Sequence, residues 1–388
     1  MPRSVAFAAL TAFVLMLGLG VLFPVLPFLT RELGISDANA GWLLASYPLA
    51  SFVASPLWGR FSSARGRKPA LVIGLVGYAV GFILFGLGQT FAQLLAARVF
   101  GGLVSAAALP ALFAYVADVT TAEKRSSGMG ALGAGIGLGV TFGPLIGWLT
   151  YEAFGLRAPY FVSGAIGLAN ALAVGFALPE SLKAETRAER ERDAARRVPL
   201  LRIALPLAPF LLCAFLTSTA RMAVDTTLGF FAQTALGATP RGVAGVLFVM
   251  GITSAIVQGG VVRALAGRVS DHALFVTGCA LMSAGLAAFG FAGSWAGVVA
   301  SGIPVAIGFA LLSPTLQALL SRAAEDAQGE AQGLSGSATA LSRVLAPVLF
   351  TTGLWPHYGG PGTYAVAALL CVSALVVALA RFRSPAGA

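Results

Sequence analysis

Charged side chains are scarce in this 388-residue sequence, where Asp, Glu, Lys and Arg together make up 10%. Soluble proteins carry about 25% charged residues. Hydrophobic residues account for 57% of the chain. The composition therefore excludes an ordinary water-soluble globular protein and predicts an integral membrane protein.

Cysteine and histidine are also rare. The three cysteines, Cys213, Cys279 and Cys371, lie inside apolar runs and form neither a disulfide framework nor a metal-ligand spacing. The sequence has no Gly-x-x-x-x-Gly-Lys-Ser/Thr loop, so it gives no sign of a step driven by ATP. We expect no metal and no other cofactor.

Long apolar runs fill the rest of the chain, and each is long enough to span a bilayer. We predict an all-α membrane protein with twelve transmembrane helices in two pseudo-symmetric six-helix bundles. The N-terminal bundle covers 1–180, a mixed-charge cytoplasmic linker covers 181–200 and the C-terminal bundle covers 201–388. The predicted spans are 5–30, 40–61, 69–90, 93–117, 127–150, 158–179, 204–235, 241–263, 272–292, 295–320, 330–354 and 363–380.

The basic residues predict the orientation of these spans. With the N-terminus in the cytoplasm, the far side receives only Arg31, Arg157 and Arg241, and most other Lys and Arg residues fall on the cytoplasmic side. This asymmetry is the positive-inside pattern. It predicts that both termini are cytoplasmic, and it explains the net charge of +10 without a nucleic-acid partner.

The two halves show signs of an internal repeat. Gly59-Arg-Phe-Ser-Ser follows the second span, and Gly267-Arg-Val-Ser-Asp follows the eighth. Pro144 in span five has a counterpart in Pro347 of span eleven. Two similar bundles with a binding site between them are typical of secondary transporters.

The fifth span carries glycine at every fourth position. In a bilayer, a stripe of small residues lets another helix approach closely, and a proline within the stripe is expected to bend the helix. Two interpretations remain open: a smooth face that rocks against a partner helix, or ordinary tight packing. The stripe consists of Gly135, Gly139, Gly143 and Gly147 and contains Pro144.

Four short motifs stand at defined places in the predicted spans. They consist of Gly18, Pro24 and Pro27 in span one, Gly59, Arg60, Gly66, Arg67 and Lys68 in the loop after span two, Arg98 in span four, and Gly139, Gly143, Pro144 and Gly147 in span five. These motifs resemble those of the major facilitator superfamily, and within it the twelve-span drug:proton antiporters of the tetracycline-efflux type. The resemblance covers essentially the whole chain, with two departures. Ser63 stands where the family has an aspartate, and Trp148 replaces the last glycine of the span-five motif.

The resemblance implies an inner-membrane transporter that works by alternating access. It implies a cytoplasmic latch at the loop after span two and a rocking helix at span five. In this family spans one, four, seven and ten line the cavity. Leu15 occupies the first span where tetracycline-type exporters carry an acid.

Ionisable residues inside a span are costly and are functional candidates by default. The candidates here are Arg98, Arg221, Asp225 and Arg343. We expect Asp225 to carry proton coupling and Asp118, at the end of span four, to be the second choice or a gate that pairs with Arg125 or the Arg67/Lys68 loop. The structural alternatives are a closed Arg221–Asp225 ion pair and packing anchors at Arg98 and Arg343.

Polar residues inside the spans are candidates for substrate hydrogen bonds, although hydrogen bonds between helices explain them equally well. Three membrane arginines against one aspartate favour neutral, zwitterionic or anionic amphiphiles over cationic ones. The polar candidates are Tyr47, Asn170, Gln233, Gln258 and Gln317.

The sequence therefore predicts a monomeric, multi-pass protein of the bacterial inner membrane that exports small amphiphilic compounds in exchange for protons. A proton-independent facilitator, or a lipid or metabolite exporter, is the alternative favoured by Ser63 and Leu15. A remote alternative is an intramembrane serine protease built on Ser335, which would need His272 or His357 within reach. We expect a transporter and not an enzyme.

Overall fold

A computed structural model describes residues 3–181, 200–237, 239–265, 267–324 and 328–382. Apart from its two end residues, the linker predicted at 181–200 lies outside these ranges. The chain divides into two compact units, Met1–Arg196 and Arg197–Ala388, which we call the N-unit and the C-unit. Within the described ranges the regular structure is helical, as the sequence predicts.

The helices of the N-unit correspond to the first six predicted spans, with span four divided in two. Thr90 caps the first part of that span by accepting a hydrogen bond from the backbone of Gln93. The second part begins after Ala107. The helices are α1 Arg3–Glu32, α2 Asp37–Arg65, α3 Arg67–Leu87, α4 Phe91–Ser105, α5 Ala108–Val119, α6 Ala122–Phe154 and α7 Ala158–Ala177.

The helices of the C-unit correspond to spans seven to twelve. Two of these spans contain a π-helical segment, at Val257–Val261 and Val348–Leu354. The α-helices are α8 Leu200–Leu236, α9 Pro240–Ile256, α10 Val262–Leu265, α11 Asp271–Phe289, α12 Trp295–Ala323, α13 Gln328–Pro347 and α14 Trp355–Arg381.

Ten stretches of the described chain are long and apolar enough to cross a membrane. This count is two lower than the twelve predicted spans, for two reasons. α2 has 29 residues, a length of about 44 Å that suffices for a span, but it is not apolar enough to count among the ten stretches. Glu330–Arg381 counts as one stretch, although Gly359 interrupts it with a non-helical backbone (φ 57°, ψ −155°).

The two units use the same helix pairings. In the N-unit α1 packs against α6, α3 against both α4 and α7, and α2 against α4. In the C-unit α8 packs against α13, α11 against both α12 and α14, and α9 against α12. These are the pairings expected if α8 corresponds to α1 and α13 to α6, which agrees with the sequence repeat.

The glycine stripe of span five lies against α1. A Cβ atom at Gly135 would overlap the carbonyl oxygen of Ala9, and one at Gly139 would overlap that of Phe13. At Gly143 it would lie 2.6 Å from the Cα atom of Gly20. The stripe therefore packs two helices of one unit backbone to backbone, and α6 continues as a helix through Pro144.

Candidate functional site

Arg98 is buried in the N-unit, with 7% of its surface exposed. Its Nε donates a hydrogen bond to the carbonyl oxygen of Leu43 on α2 (3.1 Å). Its guanidinium carbon lies 4.6 Å from the ring centroid of Tyr47, which is a cation–π geometry. The Tyr47 hydroxyl is hydrogen-bonded to Ser105 on α4. These contacts fix the guanidinium between α2 and α4.

Asp225 forms an ion pair with Arg221, one turn earlier on α8. The Arg221 Nη1 atom lies 2.7 Å from the carboxylate Oδ1, and the two side chains are 14% and 13% exposed. The guanidinium carbon of Arg221 also lies 5.9 Å from the ring centroid of Phe309 on α12. Asp225 further interacts electrostatically with Arg343 on α13. The C-unit thus brings together the three membrane charges that the sequence places there.

Arg67, at the start of α3, is the centre of a polar cluster at one end of the N-unit. Its Nε lies 3.2 Å from Asp118 Oδ2, with side-chain exposures of 5% and 7%. Its Nη1 donates to the hydroxyl groups of Ser62 (3.0 Å) and Ser63 (3.3 Å). The family's aspartate position therefore supplies a hydroxyl acceptor here, and Asp118 supplies the negative charge.

Glu180, which sequence reasoning missed, caps the same helix. Its carboxylate accepts the backbone N–H groups of Arg67 (2.9 Å) and Lys68 (3.1 Å), the first donors of α3 that have no partner within the helix. A Cβ atom at Gly66, where φ is +115°, would overlap this carboxylate. Ser181 donates from its hydroxyl to Asp118 (3.2 Å). The sequence signal that could have indicated this role is an acidic residue just beyond an apolar run, in Leu178-Pro-Glu-Ser181.

The C-unit has a corresponding ion pair with the charges exchanged. Asp271 at the start of α11 lies 2.7 Å from Arg322 at the end of α12. Each of these residues stands 204 positions after its counterpart, Arg67 or Asp118. In the N-unit the cation begins the helix, and in the C-unit the acid does. Arg322 is 70% exposed, so this ion pair is much more accessible to solvent than the Arg67–Asp118 pair.

The remaining motif residues are either packed inside the N-unit or lie at its surface. A Cβ atom at Gly18 would overlap the Tyr78 hydroxyl, and Pro24 and Pro27 are buried within α1. A Cβ atom added at Gly59 would meet nothing within 4 Å in the described part of the chain, and Arg60 is exposed.

Two of the predicted polar residues are hydrogen-bonded to a neighbouring helix of their own unit. Asn170 accepts from the Thr11 hydroxyl (3.4 Å), and Gln317 donates to Ser335 (3.3 Å). Both contacts join helices of a single unit. Gln258 is exposed on a π-helical segment, and Gln233 is half-buried on α8. Of the five, only Tyr47 lies beside a membrane charge.

Ser335 has no histidine partner in the part of the chain that is described. It is hydrogen-bonded to Gln317, whereas the Nε2 atom of His272 lies 3.4 Å from the carbonyl oxygen of Ala378 and the ring of His357 meets that of Tyr358 edge-on. A serine nucleophile needs a base within hydrogen-bond reach, so the protease alternative has no geometric support.

These features define a multi-pass helical membrane protein with ionisable groups inside its spans. The sequence profile of the Major Facilitator Superfamily matches residues 8–347. The chain belongs to this family, as its motifs predict.

Two curated bacterial relatives cover most of the chain. Multidrug resistance protein 2 of Bacillus subtilis is 29% identical over 345 residues, which is 87% of this chain and 85% of the relative. Quinolone resistance protein NorA of Staphylococcus aureus is 24% identical over 358 residues, 90% of this chain and 89% of the relative.

Solved structures share the fold. The human organic anion transporter MFSD10 matches with a TM-score of 0.71 at 21% identity, covering 97% of this chain and 100% of that one. A bacterial homologue of the human lysosomal transporter Spinster matches with a TM-score of 0.78 at 14% identity, covering 98% of both chains.

Proposed function

We propose that this protein is a secondary transporter of the bacterial inner membrane that exports small amphiphilic compounds by alternating access, in exchange for protons. Two relatives that span most of the chain are named for multidrug and quinolone resistance. Both termini are cytoplasmic in this proposal, so the Arg67 cluster lies at the cytoplasmic end and acts as the latch. α6, with its glycine motif, is the rocking helix.

The observation that carries the proton-coupling part is the Arg221–Asp225 ion pair (2.7 Å) inside α8. A nearby arginine stabilises the charged form of a carboxylate in a span. When that arginine moves away, burial destabilises the charged form and favours the protonated one. Movement of Arg221 therefore switches Asp225 between a charged and a protonated state. Asp225 is the one acid of the sequence in the interior of a predicted span.

Arg343 lies on a different helix from this pair and interacts with Asp225 electrostatically. In our proposal Arg343 stabilises the charged carboxylate of Asp225 when Arg221 turns toward the substrate. Asp118 is the second coupling candidate, but its contacts with Arg67 and Ser181 favour a role in the latch. The transporter works as a monomer with substrate, protons and lipid as its partners.

The proposal is tested in inside-out vesicles that contain the wild type, Asp225→Asn or the control Glu152→Gln, which alters an exposed acid. Respiration sets a pH gradient, and a pH-sensitive dye follows its dissipation when amphiphilic drugs, a quinolone among them, are added. We expect drugs to dissipate the gradient in the wild type and the control but not in Asp225→Asn. Equal dissipation in all three would remove Asp225 from the coupling.

The alternative is a proton-independent facilitator or a lipid or metabolite exporter on the same fold. It is favoured by the two missing acids, at Ser63 and Leu15. The same vesicles distinguish it, because labelled substrate would then cross without any change in the pH gradient.

A further inference from the structure

The three cysteines of the chain come together inside the C-unit, although their spacing in the sequence gives no metal-ligand pattern. They lie on three different helices, with Cys213 on α8, Cys279 on α11 and Cys371 on α14. Each thiol is free, and each residue is 0% exposed. Cys279 interacts electrostatically with both of the others. The fold therefore gathers three soft sulfur atoms into one buried cluster, which the proposed transport mechanism does not use.

A side-chain contact between α11 and α14 places two of these cysteines on facing surfaces. The hydroxyl of Ser283 on α11 donates to the carbonyl oxygen of Ala368 on α14 (3.3 Å). Cys279 precedes Ser283 by four residues, and Cys371 follows Ala368 by three residues. Residues three or four apart lie on the same face of a helix. Each cysteine is therefore one helical turn away from this contact, on the face that the contact marks.

A second contact between the same helices fixes their relative direction. The Nε2 atom of His272 on α11 lies 3.4 Å from the carbonyl oxygen of Ala378 on α14. His272 stands seven residues before Cys279, and Ala378 stands seven residues after Cys371, which is about two turns in each helix. The helices are therefore antiparallel, and the two cysteines lie at the same level between the two contacts.

The third cysteine is a neighbour of this pair. The Cys213 thiol donates to the carbonyl oxygen of Ala374 (3.5 Å), which lies one turn beyond Cys371 on α14. Within the described part of the chain, no three His, Cys, Asp or Glu side chains are arranged to hold a metal ion. The cluster therefore offers two opposed thiols, and a site of three or four ligands is not formed.

Two thiols in an apolar interface select the kind of ion that can bind. Thiolates favour soft cations, whereas Mg²⁺ and Ca²⁺ take oxygen ligands and structural Zn²⁺ takes four ligands. Hg(II) is soft and forms stable complexes with two thiolates in a line. Such a complex carries no net charge, which suits a site that is buried away from water.

We propose that Cys279 and Cys371 bind one soft divalent cation that prefers two ligands, such as Hg(II), and that the ion bridges α11 and α14. The ion enters as neutral HgCl₂ when the helix packing opens locally. Two S–H bonds and two Hg–Cl bonds break, and two S–Hg bonds form. Two protons and two chloride ions leave, and no electron is transferred. This inference does not depend on the proposed export function.

The test measures mercury retention by the purified full-length protein in detergent. One equivalent of HgCl₂ is added to the folded chain without reductant, and glutathione then competes for the ion at increasing concentrations. Gel filtration separates bound from free mercury. The variants are Cys279→Ala, Cys371→Ala and the matched control Cys213→Ala, which removes a buried thiol of the same cluster but not of the pair. ZnCl₂ is the comparison ion.

We expect the wild type and Cys213→Ala to retain one mercury ion per chain. The glutathione concentration that removes half of it should be at least about tenfold lower in Cys279→Ala and Cys371→Ala, because the second bond is then no longer intramolecular. Zinc should be released at the lowest glutathione concentrations. X-ray absorption of the mercury-loaded wild type, without glutathione, should show two sulfur neighbours.

The proposal is overturned if Cys213→Ala loses mercury as easily as the other two variants, or if either of those retains it as the wild type does. Zinc retention equal to that of mercury would also overturn it. If a variant does not fold, X-ray absorption of the wild type still decides the question, because one sulfur and one chlorine neighbour would show that the thiols bind mercury separately.

Discussion

Glu180 shows how one side chain outside the recognised motifs organises a site. Its two carboxylate oxygens accept the N–H groups of Arg67 and Lys68, where the positive end of the helix dipole favours an anion. Arg67 would otherwise add a positive charge to that positive end. Glu180 therefore stabilises the helix start that holds Arg67 against Asp118.

Replacing Glu180 by alanine should lower the free energy of unfolding by about 1–2 kcal/mol, because two N–H groups lose their acceptor. Glu180→Gln should cost less, since its amide oxygen still accepts one of these bonds. The measurement is thermal unfolding of the detergent-solubilised chain. The control is Glu152→Gln, at an exposed position. Equal stability of Glu180→Ala and the control would show that the cap contributes nothing.

At the scale of one helix, α6 has two glycine faces with different surroundings. Gly135, Gly139 and Gly143 touch the backbone of α1, whereas a Cβ atom added at Gly133 or Gly137 would meet no atom within 4 Å among the residues that the structure describes. The first face is tight packing inside the N-unit, which is one of the two interpretations that the sequence leaves open. A rocking role of α6 stays a proposal, and it now applies to α1 and α6 as a packed pair.

Gly143→Ala should destabilise the protein by about 1–3 kcal/mol, because its Cβ atom would overlap the backbone of α1. Gly137→Ala makes the same chemical change on the open face, and it should leave stability unchanged or raise it by up to about 1 kcal/mol. Thermal unfolding of both variants provides the comparison. If the two variants were equally stable, the close α1–α6 contact would not be a determinant of folding.

The elements were predictable where a periodic signal exists. The long apolar runs give the helices, and the four-residue spacing of Arg221 and Asp225 gives their ion pair. The interruption of span four after Ser105 was missed, because Ala106-Ala-Ala108 has no turn signal. The caps and the Arg98–Tyr47 contact were also missed, because they depend on which helices become neighbours.

At the scale of the whole chain, the two units repeat one ion pair in different environments. Arg67 and Asp118 are 5% and 7% exposed, whereas Arg322 is 70% exposed. Removing one partner of a buried pair leaves an unpaired buried charge, but exposed pairs are screened by solvent. The N-unit pair should therefore contribute far more to stability than its counterpart.

We expect Asp118→Asn to lower the free energy of unfolding by about 3 kcal/mol and Asp271→Asn by less than about 1 kcal/mol. Denaturant titration of the full chain measures both. A larger loss in Asp271→Asn than in Asp118→Asn would contradict the burial argument.

The exchanged polarity of these pairs bears on how the chain assembles. In the N-unit the start of α3 pairs with the end of α5, and in the C-unit the start of α11 pairs with the end of α12. Each helix start could in principle pair instead with the corresponding helix end of the other unit. If α3 met α12, Arg67 would oppose Arg322, and if α11 met α5, Asp271 would oppose Asp118. Like charges disfavour both mismatches, and opposite charges favour both native pairings. In a chain built from two similar halves, the reversed charges therefore favour each helix end's native partner over the corresponding helix end of the other half.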